Sequence, residues 1–137
     1  MNKKEPKESR PVFDKVSPGL LCTMPYEYAG KDIEVLVESE EFTCLCPWSG
    51  LPDFAYIAIR YVPGKVVIEL KSLKLYLQSY RMVGIVHESA VNSILNDLVK
   101  AAKPKSMDVE LEFNIRGGIT TTVRAEYSQG KGKDVRK

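Results

Sequence analysis

The sequence predicts an α+β fold, with an antiparallel sheet and two helices on one of its faces. Three observations carry this. Met107, Val109, Leu111, Phe113 and Ile115 alternate with Asp108, Glu110, Glu112 and Asn114, the period of a half-buried strand. Val91, Ile94, Leu95, Leu98 and Ala102 recur at helical spacing and form one apolar stripe. The order is strands, then two helices, then a hairpin, which segregates the helices instead of interleaving them with parallel strands.

The elements follow in chain order. Residues 1–19 are polar, carry Pro6, Pro11 and Pro18, and are expected to form a loosely held arm before a single domain over 20–129. Ile33, Val35 and Val37 alternate with Asp32, Glu34, Leu36 and Glu38, which predicts a strand. The stretch FTCLCPWSGLPDF (42–54) reads as a loop punctuated by Pro47, Gly50 and Pro52. A second strand is expected over AYIAIRYV (55–62), a turn at Pro63-Gly64, and a third strand over KVVIEL (65–70). KSLKLYLQSY (71–80) sets Leu73, Tyr76, Leu77 and Tyr80 at helical spacing until Gly84 breaks the pattern. The second helix runs from Glu88, and Pro104 stops it. Arg116-Gly117-Gly118 then turns the clear strand back into Ile119–Tyr127, a hairpin. The tail over 130–137, GKGKDVRK, is expected to be a disordered basic segment. A sheet of about four strands, covered on one face, leaves open edges, which predicts an oligomer.

The bulk numbers narrow the function. A chain of 137 residues, 44% hydrophobic and 28% charged, suits one globular domain. A net charge of +2 gives no broad basic field, so direct nucleic-acid binding is not expected. No apolar run reaches the roughly 18 residues of a membrane helix, so no membrane partner is expected. MNKKEPKESRPVF lacks an apolar core and does not read as a secretory signal. The expected location is therefore the cytoplasm, where thiols stay reduced. Three cysteines cannot all pair within one chain, which further weakens a disulfide.

Several chemistries remain open at the cysteines. Cys22, Cys44, Cys46 and His87 offer a Cys3His zinc set, although the C-x-C spacing is tighter than the usual structural pair. Cys44 and Cys46 also read as small apolar residues on one strand face. Alternatively, Cys46 is a nucleophile: Pro47 holds it extended at a strand end, and Asp53, seven residues on, is placed to act as general acid. His87-Glu88 opens the second helix, where a carboxylate is favoured by the helix dipole alone. The same carboxylate could accept the paired donors of a guanine-like ring. Lys71 and Lys74, with Ser72 near a helix start, form either a phosphate cradle or an ordinary solvated face. Neither a G-x-G-x-x-G run after a strand nor a Walker sequence is present.

Taken together, these segments resemble a known family. ELKSLKLY (69–76) fits the signature of the NADPH-dependent 7-cyano-7-deazaguanine reductases, the nitrile reductases of queuosine biosynthesis, in their short single-domain form. LCPWSGLPDF with Cys46 and Asp53, the His87-Glu88 pair, and RGGI at the hairpin follow in the family's order, so the resemblance spans about Phe42 to Gly118. It implies the tunnelling fold (T-fold), in which subunits join their sheets into oligomeric barrels with active sites at the interfaces. It implies that Cys46 attacks the nitrile carbon to give a thioimide, that Asp53 supplies a proton, and that two hydrides from NADPH complete reduction to the aminomethyl product without a metal. Ile68, Glu69, Leu70, His87 and Glu88 would bind substrate. Lys71, Ser72, Lys74 and Tyr76 would hold NADPH, the lysines on phosphate and the tyrosine by stacking, and Arg116 would also reach the cofactor. The alternative readings on the same fold are an archaeosine-type amidinotransferase, a zinc-dependent cyclohydrolase, and a purine-binding protein without catalysis.

Overall fold

A computed structural model describes residues 15–130. Residues 1–14 of the expected arm and 131–137 of the expected tail lie outside the described residues. The remainder of the arm is tethered without being buried: Val16 packs half-buried against the core, the Ser17 N–H donates to Ser79 Oγ at 3.1 Å, and Pro18–Leu20 form a short 3-10 helix with no buried residue.

The elements in order are β1 (Thr23–Pro25), β2 (Val35–Leu45), β3 (Pro52–Val62), β4 (Val66–Ile68), α1 (Leu70–Gln78), α2 (His87–Ala102), β5 (Ser106–Arg116) and β6 (Ile119–Ser128). The main sheet has four antiparallel strands in the order β2-β3-β5-β6, which leaves β2 and β6 as its edges. This is the α+β arrangement expected, with both helices against one side of the sheet.

Two readings need correction. The segment 42–54 is mostly strand: β2 continues through Leu45 and β3 begins at Pro52, leaving only 46–51 as loop. Cross-strand pairing of Phe42 with Ala55 and Cys44 with Asp53 overrides the proline and glycine punctuation. The expected third strand shrinks to Val66–Ile68 and leaves the main sheet, pairing instead with β1, a three-residue strand that alternation is too short to reveal.

The core lies between the sheet and the helices. Ala55, Ile57, Ile59 and Tyr61 of β3 meet Met107, Val109, Leu111 and Phe113 of β5, and Val91, Ile94, Leu95 and Leu98 of α2 cover them. Helix α1 starts because the Glu69 side chain accepts from the Ser72 and Lys71 N–H groups, at 2.8 and 3.0 Å, filling two orphan donors. These bonds hold its carboxyl below the usual range. Helix α2 ends at Lys103, left-handed with φ 45°, just before Pro104.

The helices are joined by a polar chain. Tyr76 Oη donates to Asp97 Oδ2 at 2.6 Å and lies 2.9 Å from Tyr80 Oη, which in turn lies 2.7 Å from Ser93 Oγ. Low dielectric strengthens such a chain when every member is satisfied. Leu98 is fully buried where α2 meets the sheet. Leu98→Ala should lower unfolding free energy by about 2–5 kcal/mol, measured by denaturant titration.

Candidate active site

The β2–β3 hairpin places the cysteine and the acid. Cys44 and Asp53 are cross-strand partners, so Cys46 emerges one residue beyond the last β2 residue, above Asp53. The loop is closed by backbone: the Cys46 N–H donates to Leu51 O and the Gly50 N–H to Cys46 O, both at 2.8 Å. Gly50, at φ 74°, supplies the left-handed residue this turn needs. A second clamp comes from the segment before α2. The Leu45 N–H donates to Val83 O at 2.9 Å, and the Ile85 N–H donates to Leu45 O at 3.0 Å. Gly84 lies so near Pro47 that an added Cβ would sit 3.4 Å from Pro47 Cα.

The Cys46 sulfur is surrounded by hydrogen-bond donors. The Ser49 N–H points at it, 3.5 Å away. Hydrogen bonding by the Ser49 side chain, then by the Ser49 and Trp48 N–H groups, with Arg116 adding, lowers the Cys46 thiol to about 7. Cys44 is the opposite case. Burial, followed by the nearby charges of Asp53 and Cys46, pushes it up to about 12, so it stays an inert thiol.

Asp53 is gripped from two sides. His87 Nε2 lies 3.1 Å from Oδ2, and Arg116 Nη1 donates to Oδ1. The Asp53 side chain is only 10% exposed. His87 is the first residue of α2, and its ring stacks on Phe113 at 3.6 Å with 6° between planes. Cys46, Asp53, His87, Glu88 and Arg116 all line one cavity of about 370 Å³, together with Trp48, Asn114 and Thr121.

The residues expected to hold NADPH, and Ile68, Glu69 and Leu70, expected to bind substrate, divide. Leu70 and Lys74 line a separate, mostly apolar groove of about 720 Å³ between α1 and β2, with Arg81, Leu73, Leu77 and Phe54. Lys71 is exposed in the first turn of α1, beside it. Tyr76 does not fit a stacking role: it is 0% exposed, and its hydroxyl is committed to Asp97 and Tyr80. Ser72 is also buried, receiving the Cys22 N–H at 2.9 Å and donating to Glu69 O at 2.8 Å. Ile68 is buried, and its N–H donates to Tyr61 Oη at 3.0 Å. The Glu69 carboxylate is spent on its own helix. Arg116 lies at the cysteine rather than beside Lys74. No residue of Ile68–Leu70 lines the Cys46 cavity in the single chain. Among the described residues, no group of three or more His, Cys, Asp or Glu is placed to hold a metal, and Cys22 lies apart beside Ser72.

Sequence reading missed Ser49, Trp48, Asn114 and Thr121. Ser49 had a local signal, a hydroxyl in the turn straight after a cysteine. Asn114 and Thr121 had none, because hairpin register, not spacing, brings them to the cavity.

Fold and site together define a T-fold protein with a thiol–carboxylate centre at one end of its sheet. A family model described as QueF-like protein matches residues 52–132. An NADPH-dependent 7-cyano-7-deazaguanine reductase from Caldicellulosiruptor bescii is 52% identical over 117 residues, covering 85% of this chain and 89% of the relative. Another protein so named, from Chloroherpeton thalassium, is 47% identical over 85% of this chain and 100% of its own. The chain belongs to the QueF-like family. The crystal structure of the archaeosine synthase QueF-Like in the apo form is similar in fold, with a TM-score of 0.62 at 24% identity over 72% of this chain and 94% of that one.

Two measurements follow. Because the thiolate is the reactive form, Cys46 alkylation should rise with pH and reach half its limiting rate at about pH 7, while Cys44 stays unmodified in the native protein. Peptide mass mapping after timed alkylation reads both. Tyr76→Phe should cost about 1–3 kcal/mol by denaturant titration, because it strips a partner from Asp97 and Tyr80, yet leave KM for NADPH unchanged.

Proposed function

We propose that this protein reduces the nitrile of 7-cyano-7-deazaguanine to the aminomethyl product with NADPH, a step of queuosine formation, through a covalent bond at Cys46. The observation that carries the reading is a sulfur with a lowered pKa beside a gripped carboxylate in one cavity. Membership in a family whose similar relatives carry the reductase name supports it.

The chain's own groups divide the work. Cys46 adds its sulfur to the nitrile carbon, and the nitrile nitrogen takes a proton, which Asp53 hands over. The product of that step is a thioimide on Cys46. Glu88, exposed at the cavity mouth, accepts the N1–H and 2-amino donors of the purine-type ring. His87, fixed by Phe113, keeps Asp53 aimed. Trp48, 81% exposed, offers a ring face at the rim.

The groove beside α1 is the proposed NADPH site. Its apolar wall of Leu70, Leu73 and Leu77 suits rings, and Lys74 and Arg81, with Lys71 nearby, suit phosphate on the α1 side, away from Glu38, Glu40 and Glu41 on the β2 side. When bound, NADPH supplies hydride. Glu69 and Ser72 serve this site by fixing the start of α1, and not by contact.

Cavity and groove share no lining residue within one chain. The groove follows edge strand β2, and the cavity reaches edge strand β6 through Ile119 and Thr121. Pairing β6 of one copy with β2 of another would set one chain's cysteine cavity against its neighbour's groove. This supports a homo-oligomer with active sites at the interfaces. The reading places the enzyme in the cytoplasm. Among the described residues, no helix is long and apolar enough to cross a membrane.

Cys46→Ala should lower NADPH oxidation about a thousandfold or more and abolish the mass adduct formed with 7-cyano-7-deazaguanine alone. Full activity in that variant would end the proposal. If the site is shared between chains, oligomers reassembled from Cys46→Ala and Lys74→Ala subunits should regain about a quarter of wild-type activity, from the junctions that carry both intact residues. An NADPH oxidation assay on the mixture measures this, and no recovery would place both residues in one chain's site.

A further inference from the structure

Arg116 was expected at the cofactor, yet it occupies the acid. Its Nη1 donates to Asp53 Oδ1, and its Nη2 lies 3.5 Å from Ser49 Oγ, the hydroxyl beside the attacking sulfur. It thus bridges the two ends of the covalent step. His87 takes the other carboxylate oxygen. The charged and titratable groups around Asp53 are Arg116 from the β5–β6 turn, His87 and Glu88 from α2, Cys44 from β2 and Cys46 from the loop.

The two grips differ in freedom. His87 is the first residue of a long helix and is stacked on Phe113. The Arg116 side chain is 46% exposed and precedes Gly117 and Gly118, at φ 61° and 79°, where the β5–β6 register also shifts. Each carboxylate oxygen keeps a second lone pair, so with both grips in place Asp53 can still take up and hand over a proton.

Resting on the nitrile-reductase reading, we propose that Arg116 is a positioning residue for the covalent step: it aims Asp53 at the nitrile nitrogen and holds the Ser49 hydroxyl beside the sulfur. The proton balance closes within the site. The S–H proton of Cys46 passes to an Asp53 oxygen, the sulfur bonds to carbon, one C–N π bond breaks, and the same proton ends on nitrogen. No oxidant or reductant is needed for this step. For the thiol itself Arg116 adds to the larger effects of the Ser49 side chain and the Ser49 and Trp48 N–H groups, all of which favour the ionised sulfur.

The test uses adduct formation with 7-cyano-7-deazaguanine in the absence of NADPH, followed by quenched intact mass from about pH 5 to about pH 9. Arg116→Ala should slow adduct formation about tenfold or more by misplacing Asp53 and Ser49, and move the Cys46 limb of the rate profile upward, because the thiol loses a partner that favours its ionised form. Arg116→Lys, which keeps the charge, should return the profile towards wild type. An Arg116→Ala profile that matches wild type, with only KM for NADPH raised, would overturn the proposal and make Arg116 a cofactor contact. Absence of any adduct in the wild-type protein would instead refute the reductase reading, and this proposal with it.

Discussion

The carboxylate of Asp53 is the point on which the site depends. Four parts of the chain meet there: the β2–β3 hairpin that carries it, the first residue of α2, the β5–β6 turn, and the loop that holds the thiol. A nearly buried carboxylate needs partners, since an unpaired charge away from water is costly. His87 and Arg116 meet that need and are drawn into the cavity as a result. The same electrostatic requirement that holds the group in the fold therefore also assembles the groups of the proposed site.

Much of this was legible in the sequence. The long alternating strand at Met107–Ile115 and the stripe on α2 were readable because each repeats over several periods. Cys46 and Asp53 were readable because one hairpin carries both. Less accessible were features fixed by tertiary packing. Tyr76 fits a family signature, and the signature says nothing about which side of α1 it occupies; Asp97, on α2, decides that by drawing its hydroxyl inward. Arg116 looked like turn chemistry because its partner Asp53 lies on another hairpin. The β1–β4 pair was hidden because three residues are too few to show a period.

The signature segment also changes meaning. Its conspicuous residues divide into solvent-facing cations, Lys71 and Lys74, a carboxylate, Glu69, that caps the helix start, and two buried groups, Ser72 and Tyr76, that anchor it. A cation grips phosphate well only when its backbone does not move, so under the proposed function the capping and buried groups are what make the two lysines useful. The groove runs along β2, whereas the thiol cavity lies across the end of the same sheet, and Pro52 and Phe54 of the groove flank Asp53 of the cavity. Under the proposed function a single copy carries both halves of the chemistry in separate hollows.

The pairing of Cys44 with Asp53 has a further consequence for how such a protein can vary. Side chains along β3 alternate between the packed side and the open side, so Asp53 shares its side with Ala55 and Ile57 while Phe54 and Tyr56 lie opposite. Adding a residue at the tip, between Cys46 and Leu51, changes the loop and leaves that alternation alone. Adding one inside β3 between Asp53 and Ala55 would turn the acid towards solvent, away from both His87 and the sulfur. Length is therefore fixed along the arms of this hairpin by alternation, and at its tip by the closed turn that holds Ser49 and Trp48 against the sulfur.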